Sequence, residues 1–140
     1  MEKIEHIGIA VKDLEKSNAL FASLFGTPHY KTEELPAEGV KASFFKAGPN
    51  KIELLEATNP ESPIAKFIAK KGEGIHHIAF AVSDIVAEIE RLQKEGFVVL
   101  NPTPKKGADN KLVTFLHPKA TNGILIELCQ EIATLKHDQS

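Results

Sequence analysis

The chain has 140 residues, 42% hydrophobic and 26% charged, the composition of an ordinary folded protein, and its length fits one domain or two half-modules sharing a core. A formal charge of −2 argues against nucleic acid as a bulk electrostatic partner, and no apolar run approaches the ~18 residues that span a membrane. Cys129 is the one cysteine, which rules out an internal disulfide or a cysteine-based zinc cluster, and with no signal-type apolar stretch after Met1 a cytoplasmic location is expected.

In chain order, residues 3–11 alternate Ile7, Ile9 and Val11 with His6, Gly8 and Ala10, the pattern of a strand with one bulky face and one small face. Asp13 then stands as an N-cap for a helix carrying Leu14, Phe21, Leu24 and Phe25 and ended by Gly26. Tyr30 begins a short strand that runs into the polar stretch 32–39, and residues 40–46 and 51–56 form two more strands joined at Gly48-Pro49-Asn50. The result is a βαβββ unit. Ser62-Pro63 caps a connector helix with Ile64, Phe67 and Ile68 inside and Lys66, Lys70 and Lys71 outside. From Gly74 the order repeats: a strand over 75–82, a helix capped by Asp84 and closed by Gly96, and a strand over 97–100. A Pro/Gly/Lys-rich loop over 101–110 follows, then strands over 111–117 and 124–130 and a polar tail over 131–140. The chain therefore reads as a single domain over 1–140, with module one at 3–57, the connector helix at 62–71 and module two at 74–130.

The two copies align at four independent points. His6 matches His77, Asp13 matches Asp84, Gly26 matches Gly96, and Ile52-Glu53-Leu54 matches Ile126-Glu127-Leu128. In Ile78-Ala79-Phe80-Ala81-Val82, led by His77, the small face again carries an imidazole followed by two small residues, which leaves room for something to sit on it. Glu53 and Glu127 each interrupt an apolar strand. Either each lies on a solvated strand face, or each faces the interior, where a carboxylate requires a cation or several hydrogen bonds. Pairing two copies about a pseudo-twofold would bring His6, Glu53, His77 and Glu127 together. Two neutral nitrogens and two anionic oxygens suit Co²⁺, Ni²⁺, Zn²⁺ or Mn²⁺ better than Ca²⁺. Such a set leaves positions open for water or substrate, as in a Lewis-acid catalyst. His76 is expected to point to the opposite face as a satisfied histidine, His29 and His137 to be solvated, and His117 to be a weaker candidate for ligand contact. Cys129, in an apolar strand, is expected to be a buried structural thiol.

These residues are familiar as a set. Together with Ser62-Pro63-Ile64-Ala65-Lys66-Phe67, Gly72-Glu73-Gly74-Ile75-His76-His77, Leu116-His117-Pro118-Lys119 and Gly123-Ile124-Leu125-Ile126-Glu127, they resemble the vicinal oxygen chelate superfamily. Within it they are most similar to the methylmalonyl-CoA epimerases, over about residues 3–130. The resemblance implies an α+β fold, in which two tandem βαβββ modules form a cupped mixed sheet around a metal site. It implies His6, Glu53, His77 and Glu127 as ligands of one divalent ion, cobalt first and zinc, nickel or manganese as alternatives. The implied reaction interconverts (2R)- and (2S)-methylmalonyl-CoA by α-proton abstraction through a metal-stabilised enolate, with Glu127 as a catalytic base, an acyl-CoA as substrate and a homodimer as the assembly. Epimerisation requires a base on each face of the carbon. Some epimerases carry a second catalytic glutamate where Gly39-Val40-Lys41 is here followed by Ala42. Glu38, a lysine or an ordered water are the candidates left for that role.

Two other readings compete. A glyoxalase I-type isomerase uses a similar quartet for a proton transfer on a glutathione hemithioacetal, and a non-catalytic small-molecule-binding protein of the same fold needs no quartet. Lys66, Lys70 and Lys71, or the Lys105-Lys106 pair, either attract the phosphates of CoA or form a solvated face.

Overall fold

The computed structural model describes residues 1–132. The first repeat runs β1 (Lys3–Ala10), α1 (Leu14–Phe25), β2 (Lys31–Leu35), β3 (Val40–Ala47) and β4 (Asn50–Ala57). After the connector helix α2 (Pro63–Lys71), the second runs β5 (Gly74–Ala81), α3 (Ile85–Lys94), β6 (Lys105–Gly107), β7 (Lys111–Leu116) and β8 (Ile126–Glu131). This is the expected α+β arrangement of two βαβββ modules. The compact units do not follow the repeat border. His6–His77 forms a first unit, and Met1–Glu5 with the chain from Ile78 onward forms a second. The strands β1 and β5 are both divided between them.

The helices start where the sequence places their caps. Asp13 accepts from the Lys16 backbone N–H and Asp84 from that of Ala87, each at 3.1 Å, satisfying donors that the first turn leaves open. Ser62 does the same for Ile64 at 3.1 Å, with Pro63 at the first helical position. Gly26 ends α1 with φ 75°, a left-handed conformation that a side chain would strain.

In the first unit the strand order is β2-β3-β4-β1, with β1 and β4 parallel and the other pairs antiparallel. One face of this sheet receives α1. Val11, Leu14, Phe45 and Leu54 are buried there, with Ile9, Phe21, Phe25 and Ile52 packed against them. Each large side chain so buried contributes about 1.5–3 kcal/mol. Leu24, expected on this side, is instead exposed, because the buried stripe of α1 runs through Leu14, Phe21 and Phe25. In the second unit the order is β5-β8-β7-β6, with β5 and β8 parallel, and α3 buries Ile85, Ile89 and Leu92 against Val82, Val99, Leu116 and Leu128. The first residues of the chain join this unit, where the Glu2 N–H donates to the Ala81 carbonyl at 2.8 Å.

Several expectations about strands are corrected. Residues 97–100 make no ladder strand but a single bridge, Val99 to Leu116, with Leu100 N–H donating to Phe115 O and His117 N–H to Val98 O. Pro102 and Pro104 carry no backbone donor, so pairing along β7 lapses and resumes only at β6, inside the segment read as a loop. In the first repeat, the polar residues Thr32 to Leu35 continue β2 in register with β3. Glu131, assigned to the tail, is the last residue of β8, and His137 lies outside the described residues. Among the described residues, no helix is long and apolar enough to cross a membrane.

Candidate metal centre

Strand register decides which side chains share a face. Gly8 lies opposite Glu53 in the β1–β4 pair, and Glu53 lies opposite Phe44 in the β4–β3 pair. Since Ile9, Ile52, Leu54 and Phe45 face α1, the other face of the first unit carries His6, Gly8 and Ala10 from β1, Lys51, Glu53 and Leu55 from β4, and Ala42 and Phe44 from β3.

On that face three predicted residues converge. His6 Nε2 lies 3.1 Å from His77 Nε2 and 3.2 Å from Glu53 Oε1, and His77 Nε2 lies 3.7 Å from the same oxygen. His6, Glu53 and His77 are 7%, 4% and 5% exposed. A buried carboxylate facing two imidazole nitrogens this close together is costly unless a proton or a cation sits among them. These separations also leave a point about 1.9 Å from all three atoms, and first-row ions bind such ligands at roughly 2.0–2.2 Å. The donor set and its spacing therefore fit one divalent ion.

Gly8 explains why the face is small. A Cβ built there would lie 2.2 Å from His77 Cε1 and under 3 Å from both ring nitrogens. The space that the alternating pattern left open is filled by the His77 imidazole, and only glycine permits the approach.

His77 is held on its other nitrogen too. Its Nδ1 lies 2.9 Å from His76 Nδ1, and the His76 ring stands edge-on to Phe67 of α2 at 5.0 Å. His76 is thus a satisfied histidine, as expected, and its contact with His77 adds to that expectation. Adjacent strand residues do leave on opposite faces, but at this strand end the His76 imidazole swings alongside its neighbour. A nitrogen partner behind a candidate ligand fixes which nitrogen is presented to the centre, here Nε2. No single-residue pattern signals this, because it depends on α2 placing Phe67 behind the ring.

Glu127 belongs to the second unit, on β8, where it is 6% exposed. It lies opposite Ala79 and opposite Phe115, the same relations that Glu53 has to Gly8 and Phe44. The two glutamates therefore occupy equivalent register positions in the two repeats. Beside Glu127 on this face, Cys129 is 1% exposed and packed with Ala79 and Val113, its thiol 3.5 Å from the Phe80 carbonyl. It is a core thiol, as expected.

The remaining histidines divide. His117 Nδ1 accepts from the Lys119 N–H at 3.0 Å and caps a short turn. His29 is not simply solvated but half-buried, its ring edge-on to Phe45 at 5.9 Å. A buried cation escaped the sequence altogether. Lys111 is 9% exposed, with its ammonium 3.5 Å from Asp109 and 3.9 Å from the buried Glu5. Nothing in the pattern around Lys111 marks it as interior, because its partners come from the far end of the chain and from the preceding turn.

Comparison with known proteins adds the following. Residues 5–115 match the family model of the Glyoxalase/Bleomycin resistance protein/Dioxygenase superfamily. The ethylmalonyl-CoA/methylmalonyl-CoA epimerase of Cereibacter sphaeroides is 42% identical over 130 residues, covering 91% of this chain and 97% of that protein. The mitochondrial methylmalonyl-CoA epimerase of Homo sapiens is 40% identical over 129 residues, 91% of this chain and 73% of that protein. Among solved structures, a variant of Streptomyces coelicolor methylmalonyl-CoA epimerase in complex with 2-nitronate-propionyl-CoA superposes with a TM-score of 0.91. It is 35% identical and covers 95% of this chain and 96% of the other.

Proposed function

This chain belongs to the glyoxalase/bleomycin resistance protein/dioxygenase superfamily, and from that premise we propose that it is an epimerase that interconverts the 2R and 2S forms of methylmalonyl-CoA. The observation that carries the reading is the buried cluster of His6, Glu53 and His77, whose donor atoms lie within 3.7 Å of one another on a face of small residues. The activities of the C. sphaeroides and human relatives supply the substrate class.

In this reading His6, Glu53 and His77, with Glu127 as the fourth, hold one divalent ion. Two imidazoles and two carboxylates suit a first-row divalent ion, cobalt, zinc, nickel or manganese, and the resemblance to the epimerases puts cobalt first. When bound, the ion supplies Lewis-acid charge at the oxygens that flank C2 of the substrate, the carbon between thioester and carboxylate. The rest falls to the chain. Gly8 and His76 fix the His77 ring, so that the centre is organised before substrate arrives. Buried Phe44 and Leu55 lie on the same face as Glu53 and make its surroundings apolar. Glu127 takes or returns the C2 proton on one face. The acyl-CoA is a diffusible substrate, and the working assembly is a homodimer.

Purified protein reconstituted with cobalt should convert either pure epimer to the equilibrium mixture. It should leave the hemithioacetal of methylglyoxal and glutathione unchanged. Turnover of the hemithioacetal alone would move the assignment to a glyoxalase-type isomerase, and tight acyl-CoA binding without turnover would make the chain a binding protein.

A further inference from the structure

Epimerisation at C2 needs a second proton-transfer group, and Ala42 offers none. We propose that Glu33 on β2 supplies it, an inference that rests on the epimerase reading above.

The antiparallel pairs place Glu33 opposite Ala42, Ala42 opposite Leu55, and Lys31 opposite Phe44, which is itself opposite Glu53. Glu33 thus stands on the same face of the sheet as His6 and Glu53, one row along from Glu53 and two strands away. That diagonal separation is about 12 Å between backbones. A glutamate extended from β2 across the methyl of Ala42 and a candidate ligand extended from β4 leave a gap suited to a small carbon framework.

The side chain is also directed over the sheet and not off its edge. Glu33 Oε1 lies 3.5 Å from Lys31 Nζ, and that ammonium stands 5.1 Å from the centroid of Phe44, the direct neighbour of Glu53. Lys31 and Glu33 therefore form a charged pair above the apolar rim of the candidate centre. The carboxylate has the access its task requires. The Glu33 side chain is 28% exposed against 6% for Glu53, so it can exchange its proton with water between turnovers. Among the strand residues on this face of the first unit, it is the carboxylate besides Glu53. The second repeat places Lys105 opposite Val113 where the first places Glu33 opposite Ala42, so the carboxylate belongs to one repeat and not to both.

The step balances. The Glu33 carboxylate forms an O–H bond with the departing C2 proton, and the C–H electron pair enters the conjugated thioester. A proton held on the opposite face then forms the new C–H bond, leaving that group as its conjugate base. Solvent resets both. In the reverse direction the roles exchange, so each epimer hands its own proton to one particular face.

That asymmetry provides the test. Glu33→Gln should keep its metal content and circular dichroism, hold KM within a few-fold, and lose about 10²–10⁴ in kcat for epimerisation. In D₂O it should still exchange the α-proton of one epimer and fail to exchange that of the other. Adding Ala42→Glu to Glu33→Ala, which returns a carboxylate one strand nearer the centre, should restore part of kcat. Unchanged kcat in Glu33→Gln, or equal loss of exchange from both epimers, would overturn the assignment. A wild-type protein that epimerises neither isomer would overturn the epimerase reading itself and this inference with it.

Discussion

Gly8→Ala isolates the close approach on which the candidate centre depends. The new Cβ would lie 2.2 Å from His77 Cε1, 2.6 Å from Nδ1 and 2.7 Å from Nε2. Restoring an ordinary carbon contact of about 3.5 Å requires the ring or the strand to move by about 1.3 Å, the difference from the 2.2 Å above. Metal–ligand distances tolerate only about 0.2 Å, so the displaced imidazole no longer serves as a ligand. The loss should exceed the ~10–100-fold that weakened outer contacts cost. The metal-free protein should also lose about 1–3 kcal/mol to the same clash, offset in part by the roughly 0.4–1 kcal/mol of unfolded-state entropy that alanine removes. Competition with a coloured chelator gives the metal affinity, and thermal unfolding of the apo form gives the fold. A Gly8→Ala protein that binds cobalt as tightly as wild type would refute the placement of His77 over Gly8 and the reasoning built on it.

Other changes separate the contributions of the neighbours. His77→Ala should strip the metal, measured by elemental analysis, while leaving the protein folded; full occupancy would show that His77 is not a ligand. His76→Phe keeps an aromatic ring against Phe67 but removes the nitrogen 2.9 Å from His77, and should weaken metal binding by roughly 10–100-fold. Wild-type affinity in that variant would mean that His77 is oriented by Gly8 alone. Neutralising Lys66, Lys70 and Lys71 together, or Lys105 and Lys106, should raise KM for the acyl-CoA and flatten its dependence on salt, which screens exposed charges over ~8–10 Å. Unchanged KM in both sets would assign these lysines to a merely solvated surface.

Much of this fold is legible because local rules and the repeat agree. Asp13, Asp84 and Ser62 cap the helices that the apolar spacing demands, and His6 and His77 lead strands whose small faces announce an occupant. The convergence of His6, Glu53 and His77 follows from the repeat, and its physical cause, the His77 ring lying on Gly8, becomes visible only once β5 is placed. What stayed hidden depends on partners distant in sequence. Thr32-Glu33-Glu34 reads as a polar loop, since strand alternation there is apolar only at Leu35; pairing with β3 makes it a strand and brings Glu33 onto the candidate face. Residues 105–107 hide their strand in the same way, between prolines and a glycine, and the bridge at Val99 is too short to sustain the strand expected over 97–100. Lys111 is buried by Glu5 and Asp109, a pairing with no local periodicity to betray it.

We propose that His6, Glu53 and His77, with Glu127, serve proton transfer at the C2 carbon of an acyl-CoA. The most direct test is to give cobalt-loaded wild-type protein a single epimer of methylmalonyl-CoA in D₂O and follow C2 by NMR and chiral analysis of the hydrolysed acid. The opposite epimer should accumulate with deuterium at C2 from its first appearance. Absence of the opposite epimer, or its formation with the original proton fully retained, would contradict this reading.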